Sequence, residues 1–108
     1  MAVKCALIKL RPGCTEQAQA WAKEINSRKD EALLTLVDEG VSIESVFLIK
    51  QGADDFLIYY MRSDDFQKVR NVVEKSTHAI DTYHNKFKRE CWDSITQSET
   101  LIDLMAEL

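Results

Sequence analysis

A chain of 108 residues has the size at which one hydrophobic core forms with little left for a second, so a single domain over residues 1–108 is expected. An apolar share of 45% with charges interspersed throughout fits neither a disordered nor a membrane-embedded chain. A net charge of −4, spread out rather than gathered into a tail, offers no basic footprint, which disfavours nucleic acid and anionic membranes as partners. Lysines interrupt the apolar N-terminal residues too early for a signal-peptide core. Cys5, Cys14 and Cys91 form an odd set without a Cys-x-x-Cys pair, which suits free thiols in a reducing compartment, so a cytoplasmic location is expected.

From Val3 to Leu10 the sequence is short and apolar, and the breaker Arg11-Pro12-Gly13 follows, which predicts a first strand. Thr15 can cap the next helix, with Glu16 well placed against its dipole, and Ala18, Trp21, Ala22 and Ile25 repeat at helical spacing. The same face resumes at Ala32, Leu33, Leu36 and Val37, and Gly40 is a natural left-handed terminator, so one long helix is expected from about Glu16 to Glu39. Val41–Lys50 and Phe56–Arg62 are rich in β-branched, aromatic and aliphatic residues and should pair antiparallel across a loop at Gln51–Asp55. Asp64, three residues before Gln67, resembles a capping box for a second helix carrying Phe66, Val69, Val72 and Val73 and ending near Lys75. Ser76-Thr77 offers another cap, and Ile80, Tyr83, His84, Phe87 and Cys91 recur at helical intervals up to Trp92 as a third helix. Thr100 to Leu108 satisfies either period and is taken as a closing strand.

The order strand, helix, strand, strand, helix, helix, strand is a βαββαβ arrangement with one extra helix before the last strand. It predicts an α+β fold of the ferredoxin-like kind, with helices on one face of an antiparallel sheet. Such a sheet should alternate apolar and polar residues. Here Val3, Cys5 and Leu7 oppose Ala6, Ile8 and Leu10, and Phe56, Ile58 and Tyr60 oppose Leu57, Tyr59 and Met61. Both faces are apolar, and the helices suffice for only one. An identical sheet in a two-fold homodimer covers the other economically. The competing arrangement folds the last segment back as a lid, but that tail is too short to hide a four-stranded face.

Three stretches stand out together: Lys9-Leu10-Arg11-Pro12-Gly13, the helical run from Trp21 to Leu33, and Ser76-Thr77-His78-Ala79-Ile80-Asp81 followed by Tyr83-His84. With these the chain resembles a group of small bacterial proteins without assigned function in the dimeric α/β barrel superfamily. The likeness spans nearly the whole chain up to Trp92. It implies the sheet-to-sheet dimer and carries no catalytic residues that transfer. More distantly, the topology is similar to that of rhamnose mutarotases and of cofactor-free antibiotic-biosynthesis monooxygenases. The mutarotases use a Tyr and a His on the first helix, where this chain has no histidine, and a shared fold is a weak guide to reaction.

The apolar stripe of the first helix is interrupted by Asn26-Ser27-Arg28-Lys29-Asp30-Glu31, which at helical spacing brings Arg28 or Lys29 to the side facing the sheet. Arg28 could there clamp an anionic or carbonyl oxygen, or pair with a carboxylate such as Glu24, Glu31 or Asp81. His78, Asp81 and His84 follow at intervals of three, a spacing that slips around the helix and fits a single metal poorly, so no metal is expected. Asp81 could instead orient one imidazole as a general base; otherwise His78 belongs to the start of the helix and His84 to the core edge. Trp21, Trp92, Tyr83 and one of Tyr59 and Tyr60 could line a cavity for a flat or cyclic ligand, with Tyr60 the favoured member, or serve as core packing. No phosphate loop, serine-nucleophile motif or cofactor fingerprint is present, and no cofactor is expected.

Three functions compete on this basis. One is a small-molecule binding module with Arg28, Trp21, Tyr60, Tyr83 and Trp92 around a cleft between helices and sheet. Another is a cofactor-free enzyme, a sugar-type isomerase or monooxygenase, with His78 or His84 carrying the proton. The third is a structural dimer without a site.

Overall fold

A computed structural model describes residues 1–108. Strand β1 (Ala2–Leu10) leads into helices α1 (Thr15–Ser27) and α2 (Lys29–Glu39); the hairpin β2 (Val41–Gln51) and β3 (Asp54–Ser63) follows; helices α3 (Phe66–Lys75) and α4 (Ala79–Cys91) then lead into β4 (Trp92–Gln97). The four strands form one antiparallel sheet in the order β2-β3-β1-β4, so the expected ferredoxin-like α+β arrangement holds, with two helices in each crossover. No helix is long and apolar enough to cross a membrane.

The single long first helix is instead two, separated at Arg28, whose φ of −112° and ψ of 38° leave the helical region. Neither glycine nor proline sits there. Asn26 Nδ2 donates to the Ala22 carbonyl at 2.9 Å and Ser27 Oγ to the Glu24 carbonyl at 2.7 Å, so two polar side chains compete for the carbonyls of the last turn. The Arg28 N–H is shared between the Glu24 and Ile25 carbonyls, both at 3.1 Å. The break rotates the face that follows: α2 buries Thr35 and Glu39, while Leu33, Leu34 and Val37 stay exposed. Gly40 ends α2 with a φ of 79°, a left-handed conformation that a residue with a Cβ rarely adopts.

Three caps differ from expectation. Cys14, not Thr15, precedes α1, and the Thr15 hydroxyl donates to Asp55 instead. Asp65 rather than Asp64 caps α3, accepting from the Gln67 and Lys68 N–H groups at 3.0 and 3.2 Å. His78 precedes α4 without a side-chain cap, and the Ser76 hydroxyl takes the His78 N–H at 3.3 Å. The closing strand is also earlier in sequence. β4 begins at Trp92 directly after α4, and residues 98–108 are neither strand nor helix, because the β1 edge is already paired with β4 as far as Ala6.

Ile8, Leu10, Leu57 and Tyr59 are buried with Ala18, Trp21, Phe87 and Cys91 in one core, which fixes the sheet face that the helices cover. Alternation places Leu7, Phe56, Ile58 and Tyr60 on the opposite face, and the register adds Ile43, Phe47 and Ile49 from β2. Leu7, Ile43, Phe47 and Ile49 are exposed there, so the second apolar face lies open in the single chain.

Candidate functional site

Four rings converge between helices and sheet. Trp21 projects from the middle of α1, Tyr59 from the centre of β3, His84 from α4, and Trp92 from the first position of β4. Trp21 lies 5.4 Å from His84 and 6.3 Å from Tyr59 between centroids, and Trp92 meets Tyr59 edge-on at 5.2 Å. Phe87 closes the far side, stacked on Trp21 at 4.6 Å. Trp21 Nε1, the Tyr59 hydroxyl, His84 Nδ1 and Trp92 Nε1 are buried without a hydrogen-bond partner, and all of the protein's buried unpartnered side-chain polar atoms are these four. Native interiors satisfy nearly all such groups, so four of them in one cluster are unusual.

Two charged groups border the rings. Glu44 of β2 opposes Met61 and so shares the helix-facing side with Tyr59, and Lys88 follows His84 by one turn with its Nζ 4.7 Å from the centre of the Trp92 ring. The two do not form an ion pair. Burial raises the Glu44 carboxyl, helped by repulsion from Asp81 and opposed by Lys88; burial lowers the Lys88 ammonium, opposed by Glu44. Burial, with Lys88 adding repulsion, pushes His84 down to about 4, so its imidazole is neutral near pH 7. Burial and then Glu44 hold the Tyr59 hydroxyl well above its ordinary range; the Trp92 indole N–H, which approaches that hydroxyl without hydrogen-bond geometry, acts the other way.

A concavity of about 470 Å³ lies elsewhere, between α2, α3 and the start of α4, lined by polar groups that include Asp38, Glu39, Lys75, Ser76, His78 and Asp81. His78 Nε2 meets Asp38 Oδ2 at 2.8 Å, and Asp81 accepts the Ser76 hydroxyl. Asp81 therefore orients no imidazole, and His78 and His84 serve different places. No group of three or more His, Cys, Asp or Glu side chains is arranged to hold a metal ion.

Of the residues singled out from sequence, Trp21, Trp92 and His84 come together, and Tyr83 packs beside them. Tyr59 stands where Tyr60 was favoured: Tyr60 lies on the open sheet face and accepts from Arg62 Nε. Arg28, half-buried at the helix break, pairs with Glu31 and, at 3.8 Å, with Glu24, which is the carboxylate pairing given as the alternative to an anion clamp. Sequence spacing singles out neither Glu44 nor Lys88 as a neighbour of the rings. The available signal was a charge alternating with Val46 and Leu48 inside a strand, hidden because the opposite face of β2 is equally apolar.

Solved structures match over most of the chain. A protein of Agrobacterium tumefaciens is 10% identical with a TM-score of 0.59, over 91% of this chain and 89% of that one. A protein of Bacteroides fragilis, described as dimeric, of unknown function and with a ferredoxin-like fold, is 19% identical with a TM-score of 0.56, over 89% of this chain and 90% of that one. At these identities the likeness is one of fold. No curated protein matches the chain. The match that extends over sequence covers residues 1–107, and by it the chain belongs to the family of unknown function DUF6176.

Proposed function

We propose that this chain is a single-domain homodimer whose subunits meet through their open sheet faces, each binding one small, flat or cyclic, polar molecule among Trp21, Tyr59, His84 and Trp92. The observation that carries the binding reading is the set of four orphaned polar atoms in one ring cluster. Each such group costs about 1–3 kcal/mol while unpartnered, a cost that a ligand with matching donors and acceptors would offset. The rings supply stacking faces, and the unpaired Glu44 and Lys88 supply polarity at the border. The dimer is supported by the apolar open face and by the dimeric Bacteroides fragilis protein of the same fold. Three free thiols fit a cytoplasmic setting. A second reading, a cofactor-free enzyme, is favoured by one observation: the His84 imidazole and the Tyr59 phenol, two groups able to exchange protons, lie 6.3 Å apart between centroids in one cluster.

Both tryptophans of the protein stand in the cluster, so intrinsic fluorescence reads the site directly. Titrating aromatic acids, cyclic amides and monosaccharides should identify a probe that shifts the emission and raises the thermal midpoint. Tyr59→Phe should weaken that probe roughly tenfold and leave the free protein equally or more stable, because it deletes an orphaned hydroxyl. Failure of every probe class, or a probe that binds Tyr59→Phe and His84→Phe as it binds the parent, would sink the reading.

A further inference from the structure

Beyond Gln97 the chain leaves the sheet edge in an unusual way. Ser98 is held beside β1, with both its N–H and its hydroxyl on the Cys5 carbonyl. Five residues later Asp103 reaches Arg62, with Oδ1 accepting from Nη2 and Oδ2 from Nη1 at 3.3 Å. Arg62 pairs in register with Val3 and points to the open face, as does Tyr60, which it also bonds. The segment therefore crosses β1 on the open face, and it is pinned there by a two-pronged ion pair whose arginine side chain is only 9% exposed. Arg62 in turn holds the Asp103 carboxyl below the usual carboxylate range.

The residues around that pin are apolar and have nothing to pack on. Leu101 and Leu104 are 84% and 86% exposed, and Ile102, Met105 and Leu108 are exposed as well. A segment folded back as a lid would bury these side chains; this one turns its aspartate to Arg62 and presents its leucines outward. The pin holds them on the same side of the sheet as Leu7, Ile43, Phe47 and Ile49, so segment and sheet both present exposed apolar side chains on that side of the molecule. Four strands about 4.8 Å apart and about 30 Å long give a flat face of roughly 600 Å², at the low end of what each partner contributes to a standard interface. The pinned segment is apolar chain placed to enlarge that contact.

We infer that residues 98–108 are a clasping arm: pinned on their own subunit by Arg62 and Asp103, they pack Leu101, Ile102, Leu104 and Met105 against a second copy of this chain. The inference rests on the sheet-to-sheet dimer and deepens it, because the arm makes each subunit embrace its partner. The pin fixes the arm's root and so lowers the entropy lost when its tip is ordered.

Sedimentation of the full chain, of a chain ending at Glu99 and of Leu104→Lys separates the possibilities. Leu104 touches almost nothing in its own subunit, so its substitution should leave the circular dichroism unchanged, and any loss of assembly belongs to contact with another copy. The expected result is a dimeric full chain, with a dimer dissociation constant raised at least roughly tenfold in both variants. Loss of the pin in Asp103→Asn should act in the same direction and more weakly. A full chain that dimerises while both variants dimerise as tightly overturns the arm and leaves the sheet dimer standing. A full chain that stays monomeric at hundreds of micromolar overturns both.

Discussion

Glu39 closes α2 with only 7% of its surface exposed, and burial raises its carboxyl to about 7. Repulsion from Asp81, Glu44 and Asp38 adds to the rise, and His78 opposes it. An ordinary unfolded-state glutamate titrates near 4.5, so between about 4.5 and 7 the folded chain keeps a proton that the unfolded chain has released. Folding is then favoured by that proton at low pH, and the contribution is lost as pH rises through 7. Glu39→Gln, which keeps the shape without the charge, should therefore be more stable than the parent at pH 8, by about 1–2 kcal/mol once the solvent in the groove is allowed for, and the advantage should close towards pH 4.5. Urea midpoints across that range measure it; an advantage independent of pH would mean that its source is not the charge of the carboxylate. His84 tilts stability the other way. Its folded-state value of about 4 lies below the ordinary 6.5, so it disfavours folding as pH falls between those values. Both shifts come first from burial, which disfavours the charged form, and they run in opposite directions because one group is an acid and the other a base.

At the level of elements the helix ends decide most. Asp65 accepts two N–H groups of the first turn of α3, whereas Asp64 lies outside it and is near only the N-terminal ammonium, at 3.9 Å. Asp65→Ala should cost about 1 kcal/mol, and Asp64→Ala less than about 0.5 kcal/mol, in thermal or urea unfolding. The reverse order would show that the capping box begins one residue earlier, as Asp64 and Gln67 suggested. Adjacent aspartates make that one-residue choice unreadable from sequence, because either places an oxygen near the same orphan donors. Gly40 was legible for the opposite reason: a lone glycine after an acidic helix end has one obvious use. The break at Arg28 was not, since apolar spacing runs on both sides of it and only the hydrogen bonds of Asn26 and Ser27 interrupt the carbonyl ladder. That break decides where charge can sit. Arg28 at the break pairs with Glu24 and Glu31, Glu39 is turned inward, and the aromatic cluster keeps Glu44 and Lys88 as its charged neighbours.

For the molecule as a whole, the sheet with two apolar faces was the readable feature, and the site between helices and sheet was readable only in its aromatic half. Trp21, His84 and Trp92 could be named from helical spacing, but choosing Tyr59 over Tyr60 required knowing which face the helices cover, and a strand that is greasy on both sides withholds that. The same two-sidedness makes a sharp prediction at the open face. Phe47 lies near the middle of β2 with 57% of its surface exposed, opposite Ile58, so within one subunit a charge at this position meets water and disturbs little. Between two stacked sheets a two-fold axis would bring two such charges into an apolar layer, where each unpaired charge costs several kcal/mol. Phe47→Glu should thus keep the circular dichroism and the ring-cluster fluorescence of the parent while weakening the dimer at least roughly a hundredfold, and Phe47→Leu should weaken it far less. If Phe47→Glu sediments as a dimer of unchanged affinity, the open face is not where the copies meet, and the apolar residues of β2 must be covered by something other than this chain.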